Sequence, residues 1–259
     1  MLDGRQGRGW GMADGAIRSA GSEVARVHSQ ESLGTLDGPG LRYVVFFQGC
    51  AYRCLYCHNP DTWNPAGGRD VTLDALLTEV RGVAPFIKRK GGVTASGGEP
   101  LRQARFLAPF FQQLQREGFH TALDTAGMIN TPEAYAVLDH TDLVLMDLKG
   151  LDDALHRRMT GHGLEEPRRF LRELADRRIP TWFRVVLVPG YTDGEVNLRR
   201  IAELVAGFPS AEKLELLPFH QMGAFKWDAL RLPYALSDVP EPTEAELVRA
   251  RRLLGLETV

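Results

Sequence analysis

Three cysteines, Cys50, Cys54 and Cys57, are the only ones in 259 residues, and all lie in one short stretch. An odd, crowded set cannot be a disulfide framework. The spacing C-x3-C-x2-C can instead ligate three irons of a four-iron cluster, leaving the fourth iron without a protein ligand and open to direct binding by a substrate. The competing arrangement is a zinc knuckle with His58 as fourth ligand. Structural zinc sites normally pair two such knuckles, and the rest of the chain has no cysteine for a second. Three inert buried thiols are the remaining reading.

Other polar residues interrupt apolar stretches at unusual places. In Thr94-Ala95-Ser96-Gly97-Gly98-Glu99-Pro100, two glycines allow the backbone to approach a ligand closely, although the same residues alone make only a turn. Asp124 and Thr125 follow one apolar run, and Asp147 and Lys149 bracket the end of another. An Asp there often serves as a helix N-cap or turn former. Lys149 is harder to dismiss, because its ammonium must reach solvent, pair with a carboxylate such as Asp147, or meet a bound anionic group. Arg184 breaks a β-branched run, and His220 closes Leu216-Leu217-Pro218-Phe219, where a satisfied structural histidine is as common as a functional one. Asp37-Gly38-Pro39-Gly40 reads as a tight turn before a strand.

The elements that must position these groups follow from hydropathy periods. Strands are expected at Arg42 to Gln48, Gly92 to Ala95, His120 to Asp124, Asp142 to Leu148, Thr181 to Val188 and Lys213 to Pro218. Leu143 to Met146 and Val185 to Val188 are apolar without alternation, as expected of parallel strands covered on both faces. Amphipathic helices lie between, most plainly Gln103 to Glu117, with Leu107, Phe110, Phe111 and Leu114 at helical spacing and Gly118 past its end. Such an α/β pattern allows an open doubly wound sheet or an incomplete TIM-like (β/α)6 barrel. The unusual polar residues gather at the C-terminal ends of the expected strands, the active face of a barrel, which favours the barrel. One core is expected over residues 23–259, preceded by a glycine-rich flexible leader over residues 1–22.

Thirty-one basic and thirty-three acidic residues leave a net charge of −2, so no global field favours nucleic acid or anionic lipid. Apolar runs fall short of the roughly 18 residues a membrane span needs. No apolar signal region precedes a cleavage site, so a soluble, cytoplasmic protein is expected.

The cysteine loop resembles the signature of the radical S-adenosylmethionine (SAM) superfamily. That resemblance implies one [4Fe-4S] cluster on Cys50, Cys54 and Cys57, with SAM chelating the open iron and cleaved by one electron to a 5′-deoxyadenosyl radical. It implies SAM contacts at Tyr56, His58, Gly97, Gly98, Glu99, Asp147, Lys149 and His220. Asp124 and Thr125 look like part of a monovalent-cation site beside SAM. From Arg26 to about Leu254 the chain further resembles the activases of glycyl radical enzymes that act on pyruvate formate-lyase. The similarity runs through Arg26-Val27-His28-Ser29, Gly34-Thr35-Leu36-Asp37-Gly38-Pro39-Gly40, Phe46-Phe47-Gln48-Gly49-Cys50 and Tyr56-Cys57-His58-Asn59-Pro60-Asp61-Thr62-Trp63. It implies a protein substrate that loses one glycine α-hydrogen, contact with that glycine loop at Asp37, a low-potential donor such as flavodoxin or ferredoxin, and a monomer. Activases of other glycyl radical enzymes often carry a cysteine-rich insert, for which this chain has no cysteines. A radical SAM enzyme acting on a small molecule or nucleotide, and a non-catalytic metal-binding module, are the alternatives.

Overall fold

The computed structural model describes residues 24–256, so the leader expected over residues 1–22 lies outside the described residues. A single sheet contains β1 (Val24–Gly34), β2 (Arg42–Phe47), β3 (Arg69–Thr72), β4 (Gly92–Gly97), β5 (Thr121–Thr125), β6 (Leu143–Asp147), β7 (Thr181–Leu187) and β8 (Ala211–Pro218). Their order is β3-β1-β2-β4-β5-β6-β7-β8. From β2 through β8, every neighbouring pair is parallel. This is the expected (β/α)6 array, each strand within two residues of its expected ends.

Two strands were not expected. β1 pairs antiparallel with both β2 and β3, extending the sheet beyond the six parallel strands. Their sequence signal is weak for a physical reason: β1 buries only Ala25, Val27 and Gly34, and β3 only Val71, so neither shows a sustained alternation. The β1–β2 ladder is also irregular, with register shifts between Val27 and Ser29 and between Glu31 and Gly34.

The helices are α1 (Leu73–Ile87), α2 (Ala104–Arg116), α3 (Pro132–Leu138), α4 (Asp153–Thr160), α5 (Glu165–Arg177), α6 (Glu195–Ala206), α7 (Ala224–Ala229) and α8 (Glu244–Leu253). Side chains alternate across each strand, so one sheet face packs on helices while the other faces inward. On the helical face, Phe47, Val93, Leu123, Met146 and Phe183 join Leu107, Phe110, Phe111 and Phe170 in the main core. Each such side chain contributes about 1.5–3 kcal/mol by leaving water. α2 is the helix whose apolar spacing was plainest, and its four expected residues are all buried in that core. The inner face carries a small cluster of Ala122, Leu143 and Leu145 with Trp182. One step further toward the C-terminal strand ends, it carries Asp124, Asp147 and Arg184.

Candidate active site

The cysteine loop leaves β2 and is pinned by backbone hydrogen bonds at both ends. Gly49 N–H donates to the Thr62 carbonyl at 2.7 Å, and Cys57 N–H to the Cys54 carbonyl at 3.1 Å. Between them, Arg53 and Leu55 N–H groups donate to the Thr160 and Met159 carbonyls at 2.8 and 2.9 Å. Those acceptors are the orphan carbonyls at the end of α4, where a loop donor satisfies what the helix leaves open. The Arg53 guanidinium donates to the carbonyls of Cys50 and Tyr52, both at 2.9 Å. Cys54 is buried and its two companions half-buried. Burial pushes the Cys50 and Cys54 thiols up to about 12, so a metal must displace their protons as it binds.

Among the described residues, no three His, Cys, Asp or Glu side chains converge to hold a single metal ion. His58 stacks on His220, with ring centroids 4.2 Å apart, and its Nε2 lies 3.3 Å from the His220 carbonyl. His220 Nδ1 is buried without a hydrogen-bond partner, as expected of a group awaiting a ligand.

At the end of β4, Gly97 has φ +112°, and a Cβ there would lie 2.4 Å from Phe47 N. A Cβ on Gly98 would lie 2.5 Å from the Gly49 carbonyl oxygen and 3.3 Å from Cys50 Cβ. The two glycines thus let this turn press against the cysteine loop, and Glu99 N–H donates back to Gly49 at 2.9 Å. Glu99 is 1% exposed. Its carboxylate accepts from Thr125 Oγ1 at 2.9 Å, Leu101 N at 3.1 Å and Ala126 N at 3.3 Å. Burial pushes it up to about 7 against those bonds.

Neighbouring strand ends supply the remaining charges. Asp124 accepts from Ser96 Oγ at 2.7 Å, and burial raises its pKa although Arg184 stands 3.8 Å away. Lys149 Nζ donates to Asp147 Oδ2 at 2.6 Å and sits 5.3 Å from the Tyr56 ring centroid. Burial pulls this ammonium down, but Asp147 and Tyr56 more than offset it, and it stays charged. Tyr56, His58, Glu99, Asp124, Thr125, Asp147, Lys149 and His220 all lie beside the cysteine loop or at the C-terminal strand ends. Asp37 stands apart, in the β1–β2 loop, where its carbonyl accepts from Thr94 Oγ1 at 2.6 Å. Its half-buried carboxyl is raised by burial, with Arg184 and Arg42 opposing.

Sequence reasoning assigned nothing to several residues that complete the site. Arg184 donates to Glu215 Oε2 at 2.9 Å and to the Leu36 carbonyl. Trp227 Nε1 donates to the Cys57 carbonyl at 2.9 Å. Tyr52 packs between His156 and His162, with centroids at 5.6 and 5.3 Å. Arg184 carried a local signal, as a charge inside an apolar strand.

An open parallel α/β array with a three-thiol loop, a Gly-Gly-Glu turn and strand-end Asp and Lys groups defines a cluster-dependent SAM-binding class. The chain belongs to the radical SAM superfamily, whose family model matches residues 44–201. It is similar to the pyruvate formate-lyase-activating enzyme of Staphylococcus aureus, with 44% identity over 239 residues, 89% of this chain and 95% of that relative. A solved domain of the pyruvate-formate lyase-activating enzyme from Bacteroides vulgatus aligns with TM-score 0.53 and 27% identity, over 64% of this chain and 93% of that one. Streptococcus suis SuiB, bound to its precursor peptide SuiA, shares the fold at TM-score 0.63 and 11% identity, over 80% of this chain and 43% of that one. Superfamily membership implies a [4Fe-4S] cluster and SAM. The residues present fit both: three free thiols on one loop, a glycine cradle, and an unpartnered buried His220 nitrogen.

Proposed function

We propose that this chain activates pyruvate formate-lyase by installing a glycyl radical on it. The observation that carries this is the meeting of the cysteine loop with the Gly97-Gly98 turn, the Asp147–Lys149 pair and the His58–His220 stack on one face. Similarity across nearly the whole length of a curated activating enzyme supplies the partner.

Cluster and SAM, when bound, supply one-electron cleavage of the sulfonium and removal of one glycine α-hydrogen from the partner. Cys50, Cys54 and Cys57 would hold the cluster, and Lys149 and Asp147 present paired charge to a zwitterionic ligand. Glu99, shielded from water, would accept an ammonium group in place of its proton. Asp124 and Thr125 offer oxygens to a monovalent cation beside it. Tyr56, His58 and His220 present flat faces and one free ring nitrogen to a nucleoside. Asp37 would meet the glycine loop, which must come close to the reacting carbon in a site closed to water.

β8 is an edge strand, and Leu217 is 37% exposed there, so the barrel is open along one side. A peptide loop of a folded partner can enter through such a gap. A low-potential flavodoxin or ferredoxin would deliver the electron, and the chain would act as a cytoplasmic monomer. Among the described residues, no helix is long and apolar enough to cross a membrane.

The deciding experiment is anaerobic: reconstituted protein, SAM, reductant and pyruvate formate-lyase. A glycyl radical signal on the partner is expected, with deoxyadenosine formed alongside. Deoxyadenosine formed only with a small-molecule substrate, or radical transfer only to a different glycyl radical enzyme, would overturn the assignment.

A further inference from the structure

We propose that Asp61 is a clasp across the open edge of the barrel, a positioning residue that orients the cysteine loop through His28 and Lys226. The proposal deepens the cluster-binding reading given above and rests on it. Strand pairing leaves the two ends of the parallel array unjoined, because β8 has no neighbour beyond it. Arg184 links them inside the barrel through the Leu36 carbonyl, and at the C-terminal strand ends the arm from Cys57 to Trp63 joins them. On one side, Asp61 Oδ2 lies 2.9 Å from His28 Nε2, on β1. On the other, Lys226 Nζ, on α7 beyond β8, lies 2.9 Å from the same oxygen and 3.2 Å from Oδ1.

The contacts spread from this carboxylate along the arm. The Lys226 ammonium also donates to Asn59 Oδ1 at 2.8 Å. Trp227 donates to the Cys57 carbonyl at 2.9 Å and meets the Trp63 ring edge-on at 5.1 Å. Just before α7, Gly223 lies so close that a Cβ there would be 2.7 Å from His58 Cα. Within this arm, Asp61 is bonded by side chains from both ends of the sheet. Burial opposes its charge, but the Lys226 and His28 hydrogen bonds hold it below the usual carboxylate range.

Cys57 and His58 therefore take their orientation from a bridge built of residues far away in sequence. Outer partners that orient a metal ligand carry roughly 10–100-fold in metal affinity or activity. A solvent-facing ion pair with no such role contributes little and changes nothing at the metal.

The test uses the full chain carrying Lys226→Met, Asp61→Asn or Lys226→Arg. In cluster-free protein, amide hydrogen exchange across residues 57–63 is expected to rise about 5-fold in the first two, what losing a strong exposed ion pair produces, with β4 and β5 unchanged. After reconstitution, iron release to a chelator should quicken by roughly 10-fold or more. The SAM-induced change in the reduced cluster's EPR line shape should also differ, and Lys226→Arg should restore both. Wild-type exchange and wild-type iron release in both disrupting variants would overturn the clasp. Wild-type protein that takes up no four-iron cluster, while the exchange result holds, would sink the cofactor reading and leave the clasp standing.

Discussion

Single residues here are poised by burial more than by partners. Glu99 shows the consequence for pH. Its carboxyl titrates near 7 when folded, above the value of 4.5 for a free glutamate, so it stabilises the fold at low pH. That contribution is complete below the unfolded pKa and is lost as pH rises through the folded one. Glu99 should therefore contribute a loss on the order of 3 kcal/mol between pH 4 and 8 in ligand-free protein. Glu99→Gln should show a shallower slope in urea melts by that amount, the buried Asp124 supplying part of what remains. A ligand ammonium prefers the ionised carboxylate, so SAM binding should release a proton and tighten as pH rises toward 7, measurable by calorimetry in two buffers. Cys54→Ala makes the complementary case. It should abolish cluster absorption and iron content while circular dichroism stays unchanged, because the thiol supplies no hydrogen bond to the fold. Cys54 was legible in the sequence from spacing, since ligands on one loop must be near neighbours in the chain, whereas Glu99 alone read as part of a turn and took its role only from the family resemblance.

At the scale of the element, the β4 turn and the cysteine loop act as one unit. Gly97→Ala would force a side chain into a backbone with φ +112° and place its Cβ 2.4 Å from Phe47 N. Neither can yield without moving β2 against β4, where Phe47 and Gly97 are in register. A destabilisation of about 1–3 kcal/mol is expected, with SAM affinity falling more steeply than the melting temperature. Wild-type SAM affinity in that variant would show that the cradle is not pressed against the ligand site. β6 and β7 were legible because burial on both faces leaves the unbroken apolar runs Leu143 to Met146 and Val185 to Val188. β1 and β3 were not, because β1 buries only Ala25, Val27 and Gly34 and β3 only Val71, too few to set a period.

For the molecule as a whole, Arg184 ties together parts that no local pattern connects. From β7 it reaches Glu215 on β8, Asp124 on β5 and the Leu36 carbonyl before β2. Its side chain is 8% exposed, and removing it leaves Asp124 without its cation, while Glu215 keeps Lys213 at 2.7 Å. Arg184→Met should cost about 3–5 kcal/mol near neutral pH. The loss should shrink as pH falls through about 6 and Asp124 becomes neutral, and equal losses above and below that pH would mean that packing rather than charge is responsible. Composition, periodicity and spacing determined a parallel α/β pattern, a three-cysteine metal loop, and the strand ends where polar groups gather, which favoured a barrel over an open sheet, because each is written in residues close together along the chain. Only the tertiary structure decided that Trp227 holds Cys57 from 170 positions away and that Lys226 meets Asp61 from 165. Such contacts exist because helices and strands pack into one volume, and which side chain fills a space there is set by the packing rather than by its neighbours in sequence.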